Sequence, residues 1–286
     1  MATAAPTIPA IARLLALTLP TRKGEHWTVE EHPETGAPAA RLSSGSRRLR
    51  VVQDATRVEV FAEWPVGTRY RIDVADAVAD LTDGETPAVA DLTRRLLRVV
   101  LPKLDAAHTP REAMTPDDVR QDHDRRVGDL TELGFALLDH GVMPTQHERS
   151  DGTFMTWLSA HDGVWEAYTL QGHAGALLRY SGPLRGLYGL LSAVLRPIDA
   201  PAPRTAAPDA APTVFTRHLT DRFPQVRPVL GDCVESGGLD EPSVSVGLPD
   251  SPSEEHSDAP TSDDTRVCAE FSVGFDLLLS AVQTLA

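Results

Sequence analysis

Cysteine is almost missing from this chain: only Cys233 and Cys268 occur in 286 residues. Two thiols cannot staple a chain of this length, and no CxxC or Cys/His zinc spacing accompanies them. Free thiols in a reducing, cytoplasmic setting are expected, with a single Cys233–Cys268 disulfide as the alternative. Lysine is as scarce. Neither Lys23 nor Lys103 stands in a glycine-rich loop, so a P-loop nucleotidase is not expected. There is no GxGxxG after a strand, no GxSxG elbow and no HExxH. No bound cofactor is therefore expected. No run of 18 apolar residues occurs, so no membrane-spanning helix is expected. The apolar run Ile8–Leu19 is followed, not preceded, by cations at Arg22 and Lys23, the reverse of a signal peptide.

What the chain does have is acid. Asp and Glu number 41 against 27 Lys and Arg, a formal charge of -14. That argues against nucleic-acid and anionic-membrane partners, both of which need excess positive charge. Residues 1–199 hold 22 basic and 27 acidic side chains; residues 200–286 hold 5 and 14. Arginine far in excess of lysine, 23 prolines and abundant alanine point to a GC-rich coding genome, that of a bacterium, a phage or a mobile element.

The pattern opens with a helix over residues 8–19, ended by Pro20. Alternation then predicts strands at 26–31, 47–53, 56–64 and 69–74, with turns at Pro33–Gly36 and Pro65–Thr68. A helix is expected from Thr86, as N-cap, to about Leu101. Its apolar stripe is Val89, Leu92, Leu96, Val99 and Val100; Arg94, Arg95 and Arg98 lie on its wet side. Pro102 is expected to kink it, and His108–Pro110 to link it onward.

A second round follows. Thr115-Pro116-Asp117-Asp118 is a strong helix start, with an N-cap, proline at N1 and acids in the first turn. Val119, Val127, Leu130 and Leu133 form its apolar face. Residues 135–142 suit a strand or an extension of that helix. Strands are expected at 145–149, 153–159, 164–170 and 176–180, separated by Asp-Gly turns. A helix over 183–195 closes the unit.

Helix, antiparallel meander, helix thus occurs twice, at 1–110 and 111–198. Residues 199–286 are read as a Pro/Ala linker (199–212), a helical stretch from Val214, and an acidic loop over 236–264. The loop is expected to be largely disordered apart from Val244–Leu248; a strand (266–273) and an amphipathic helix (275–286) follow it. Leu278-Leu279-Ser280-Ala281-Val282 repeats Leu190-Leu191-Ser192-Ala193-Val194, hinting at a third, degenerate copy. The fold class is α+β. Its element order resembles type III secretion chaperone-like folds, and that resemblance implies a scaffold that holds other proteins.

Candidate chemistry is dispersed. His140, His147 and His161, with Asp139 or Glu148, are the candidate ligands of a zinc or iron site. Asp118, Asp122, His123 and Asp124 crowd one helix beside Arg125 and Arg126 and are expected to form an exposed, ion-paired face. Trp157, Trp165, Tyr168 and Tyr180, and earlier Trp27, Trp64 and Tyr70, are expected under the helices, with a ligand-lined sheet face as the alternative. Arg47, Arg48, Arg50 and Arg57 form a basic cluster facing Glu59 and Glu63. The end helix offers Phe275, Leu278, Leu279, Val282 and Leu285 either to its own core or to a protein partner. Together these features favour a non-enzymatic binding or adaptor protein. An enzyme with a dispersed, metal-assisted site and an acidic nucleic-acid mimic are the alternatives.

Overall fold

The computed structural model describes residues 8–31, 39–65, 74–82, 84–109, 114–149, 152–195, 212–229, 231–237, 242–249 and 261–286. The chain forms two compact units, Met1–Ala113 and Met114–Ala286. Both combine helices with an antiparallel sheet. The turn at 33–36, residues 66–68 of the next turn, most of the expected strand at 69–74, the turn residues Ser150-Asp151, the 199–211 linker and residues 238–241 and 250–260 of the acidic loop lie outside the described residues.

The first unit opens with helix α1 (Ile8–Thr18). Its sheet is a plain meander in sequence order: β1 (Thr28–Glu31), β2 (Ala39–Ser44), β3 (Arg47–Asp54), β4 (Arg57–Ala62) and β5 (Ala77–Asp80). Period two sorts its faces. Leu42, Leu49, Val51, Val58 and Val60 are fully buried, while Arg48, Val78 and Asp80 point to water. Helix α1 lies on β1–β3 and against α2 (Glu85–Arg95), which lies on β5. Gly84, at φ 102, caps α2, two residues earlier than the Thr86 cap expected; glycine takes that backbone without a Cβ clash. The helix then passes through a π segment, Leu96–Val100, into α3 (Leu101–His108). Pro102 has no N–H to give the preceding turn, and the π register accommodates that loss. The extra residue also rotates the helix. Arg98, expected on the wet side, is buried with Leu96, Leu97 and Val100.

The basic cluster is likewise split. Arg47 points inward, its guanidinium 5.3 Å from the Trp27 ring centroid and 3.8 Å from Asp105. Arg50 lies outward over Phe61 at 4.9 Å. Arg41, outside the expected cluster, takes Glu63 at 2.8 Å.

The second unit opens with α4 (Pro116–Asp139), started by the Thr115–Asp118 capping box that the sequence signals. The helix extends through residues 135–139 without a strand. Its sheet has eight strands: β6 (Thr145–Arg149), β7 (Gly152–Leu158), β8 (Val164–Leu170), β9 (Gly175–Pro183), β10 (Arg227–Pro228), β11 (Cys233–Ser236), β12 (Ser243–Gly247) and β13 (Arg266–Gly274), in the order β10-β11-β12-β13-β9-β8-β7-β6. Strands β9 and β13 pair over nine residues, Gly175 opposite Gly274 to Pro183 opposite Arg266. The strands of 199–286 therefore complete the sheet begun within 111–198. Residues 184–195 form a 3-10 turn and helix α5 (Tyr188–Val194), and the helical stretch expected from Val214 is α6 (Val214–Arg222). Helix α4 packs on β7 and β8, α6 on β11, and α7 (Phe275–Ser280) on β13 and α4.

The inner face is an aromatic row. Trp157, Trp165 and Tyr180 are cross-strand neighbours, with ring centroids 6.2 and 4.6 Å apart, and Phe271 lies 6.0 Å from Trp165. Three of the four aromatics expected there are buried; Tyr168 faces out. Of the end-helix stripe, Phe275, Leu278, Val282 and Leu285 are buried. Trp157 Nε1 donates to Leu285 O at 3.0 Å, so this stripe is covered by its own unit.

Tyr180 sits on glycines. A Cβ at Gly163 or Gly186 would fall 2.2 Å from the Tyr180 ring or hydroxyl, and one at Gly182 2.5 Å from Gly163 Cα. The hydroxyl donates to Pro183 O at 2.7 Å. Gly163→Ala is therefore expected to lower stability by about 1–3 kcal/mol through overpacking. A thermal melt reads this directly, and an unchanged midpoint would mean that the ring yields freely.

Candidate functional site

The three candidate histidines do not meet. His140 caps the C-terminus of α4, and His147 lies on edge strand β6 opposite Phe154. His161 sits in the β7–β8 turn, beyond the far end of β7 from that pair. The side chain of Glu148 is outside the described residues. Among those residues no group of three or more His, Cys, Asp or Glu side chains is placed to hold a metal.

The acidic cluster on α4 divides. Asp118 is taken up by the capping box, and His123 and Asp124 are exposed. Asp122, expected on the wet face, is buried. It receives Arg125 at 2.6 Å, Arg126 at 2.9 Å and the Gly172 N–H at 3.3 Å. Burial alone would raise its carboxyl; these bonds outweigh it and hold the group below the ordinary carboxylate value. Arg125 also takes Asp129 and donates to His173 O, tying the β8–β9 turn to α4. This network positions the sheet.

A second polar cluster joins α5, α6 and the approach to β13. The Tyr188 hydroxyl donates to Asp263 at 2.6 Å and lies 3.4 Å from His218 Nε2, while Arg222 covers the ring at 3.6 Å. Burial and Asp263 push the Tyr188 hydroxyl up to about 12. Arg185 pairs with Asp264 beside it. These contacts clasp three elements together.

The remaining arrangement is the open face of the eight-stranded sheet. The helices contact its inner side, and the alternate residues form three rows across the strands. One row is long and charged: Glu166, Arg179, Glu270, Ser245, Glu235 and Arg227 lie in register on β8, β9, β13, β12, β11 and β10. A second is small: Val164, Ser181, Cys268, Gly247 and Cys233. The third is aromatic: His147 stacks on Phe154 at 4.7 Å, and Phe154 on Tyr168 at 5.7 Å.

Where small side chains border long ones the surface dips. The dip is a cavity of about 440 Å³ lined by Val164, Glu166, Arg179, Ser181, Ser245, Cys268 and Glu270. Arg179 donates to Glu270 at 3.0 Å and lies 5.1 Å from the Tyr168 centroid. The Tyr168 hydroxyl donates to Glu166. Burial and that carboxylate raise the Tyr168 hydroxyl above its ordinary value; Glu270 raises Arg179, which stays charged.

Both thiols belong to this face. Cys233 is half-buried, 3.3 Å from Ser245 Oγ, and Cys268 is exposed. They lie two strands apart with Gly247 between, about 10 Å from Cα to Cα, too far for a disulfide. Both are free.

Comparison with protein-family models, curated proteins and solved structures gives no match, the type III secretion chaperone-like folds included. No helix among the described residues is long and apolar enough to cross a membrane.

Proposed function

We propose that this chain is a non-enzymatic binding or adaptor protein whose working surface is the open face of the second unit's sheet. The observation that carries the reading is the dip in that face: a cavity where the charged row of Glu166, Arg179, Glu270 and Ser245 borders the small row of Val164, Ser181 and Cys268, with the aromatic row on the far side of the charged one. A wholly structural sheet face needs alternating polar residues only. This one adds stacked aromatics, an ion pair and a concavity, the features of a recognition surface.

The element order supports a further reading. Residues 114–195 run helix, meander, helix, and so do 212–286, joined through β9 and β13. Each of those central strands is followed by a helical segment bearing Leu-Leu-Ser-Ala-Val. We read the second unit as two related copies sharing one sheet, and the first unit as a third.

Filling the dip tests the binding reading. Ser245→Trp and Ser181→Trp place bulk on a water-facing position and leave the core alone. Proteins retained from an extract of the source cell by the wild-type chain are expected to be lost from both variants, with thermal midpoints unchanged. Retention of the same proteins by both variants would place the working surface elsewhere.

A further inference from the structure

We infer that the open sheet face takes a cationic, extended segment of a partner protein, laid across the strands. This rests on the binding reading above and names the partner's chemistry.

The first argument is charge. Residues 1–113 hold 15 basic and 15 acidic side chains; residues 114–286 hold 12 and 26. The whole charge of -14 therefore belongs to the second unit. A field of that sign steers basic segments toward the unit and repels acidic ones.

The second argument is the charged row. Across β8, β9, β13, β12 and β11 it reads Glu166, Arg179, Glu270, Ser245, Glu235. Arg179 and Glu270 satisfy each other. Glu166 receives the Tyr168 hydroxyl and, among the described residues, neither it nor Glu235 enters an ion pair. The two carboxylates flank the dip, four strand spacings or about 19 Å apart. An extended chain covers that span in about six residues. Two basic side chains at that interval reach both carboxylates while the backbone between them crosses the low ground at Ser245 and Cys268. The guanidinium of one also meets the Tyr168 ring beside Glu166, where Arg179 already makes such a contact.

The probe is a labelled synthetic peptide of Ser and Thr with two arginines six residues apart, titrated against the full chain by fluorescence anisotropy. Peptides with two glutamates at the same places, and with the arginines adjacent, are the comparisons. The spaced arginine peptide is expected to bind best and to weaken as salt is raised. Glu166→Gln and Glu235→Gln should each weaken it about threefold, and together about tenfold, as exposed ion pairs do. Neither residue supports the core, so melting midpoints should hold.

Equal affinity for the glutamate peptide, or arginine binding that survives the double variant, overturns the inference. Extract capture separates this failure from that of the binding reading. Capture lost in Ser245→Trp but kept in the double Glu→Gln variant leaves a binding face with a partner that is not cationic. Capture kept in both removes the face itself.

Discussion

Deleting residues 237–264 is expected to abolish cooperative folding of the second unit. The sequence invites the opposite expectation, since this stretch is mostly Asp, Glu, Ser, Pro and Gly and its one apolar run is Val244–Leu248. The structure makes that short run β12. It pairs with β11 over four residues and with β13 over five, and Val244 and Val246 are buried on its inner side. Removing β12 strips one edge of β13 and detaches β11 and β10 from the sheet. It also removes Asp263, which receives the Tyr188 hydroxyl. Exposed strand edges of that length aggregate. Circular dichroism and a thermal melt of the deleted chain report the result. A melt that keeps its wild-type midpoint would show that β12 adds nothing to the sheet.

Asp122→Ala is the point substitution expected to cost most, about 3–5 kcal/mol, because it leaves Arg126 buried without its carboxylate. The Arg126 side chain is 6% exposed and that of Asp122 1%. Removing the carboxylate also frees the Gly172 N–H and with it the β8–β9 turn. Asp118→Ala, one helical turn away, removes only the N3 partner of the capping box and should cost far less. The two differ in pH dependence as well. The folded chain holds the Asp122 carboxyl below the ordinary aspartate value of 3.8. Its contribution is therefore full above that value and is lost as pH falls through the folded pKa. Denaturant melts of wild type and Asp122→Ala should converge as pH drops below about 4. A constant gap down to pH 2 would mean that Asp122 holds no charge-dependent stability.

How far the sequence discloses this fold follows from range. Strands β7 and β8 alternate over seven residues each, so local pattern places them almost to the residue. Strand β2, Ala-Ala-Arg-Leu-Ser-Ser, has little β propensity and is held by β1 and β3 on either side; nothing local announces it. Asp122, Arg126 and Asp129 were legible in principle. They continue the three-and-four spacing of Leu133 and Leu137 toward the N-terminus, so charges fall on the apolar stripe. Reading charge as exposure hides them. The candidate site is the least legible part. Glu166, Arg179, Glu270, Ser245 and Glu235 become one row only because β13 inserts beside β9, a pairing that joins residues roughly ninety positions apart. His140, His147 and His161 attract attention because histidine is a ligand, but sequence carries no information on their register.

The central claim is that the dip in the open sheet face contacts a partner. Cys268 provides the means, since its thiol is exposed and lines that dip. A photoactivatable cross-linker on Cys268, in a Cys233→Ser background, should couple a discrete partner in extract of the source cell. The same linker on Arg120→Cys, on the exposed side of α4 and in a Cys233→Ser, Cys268→Ser background, should not. Coupling of the same proteins from both sites, or none from Cys268, would contradict the account.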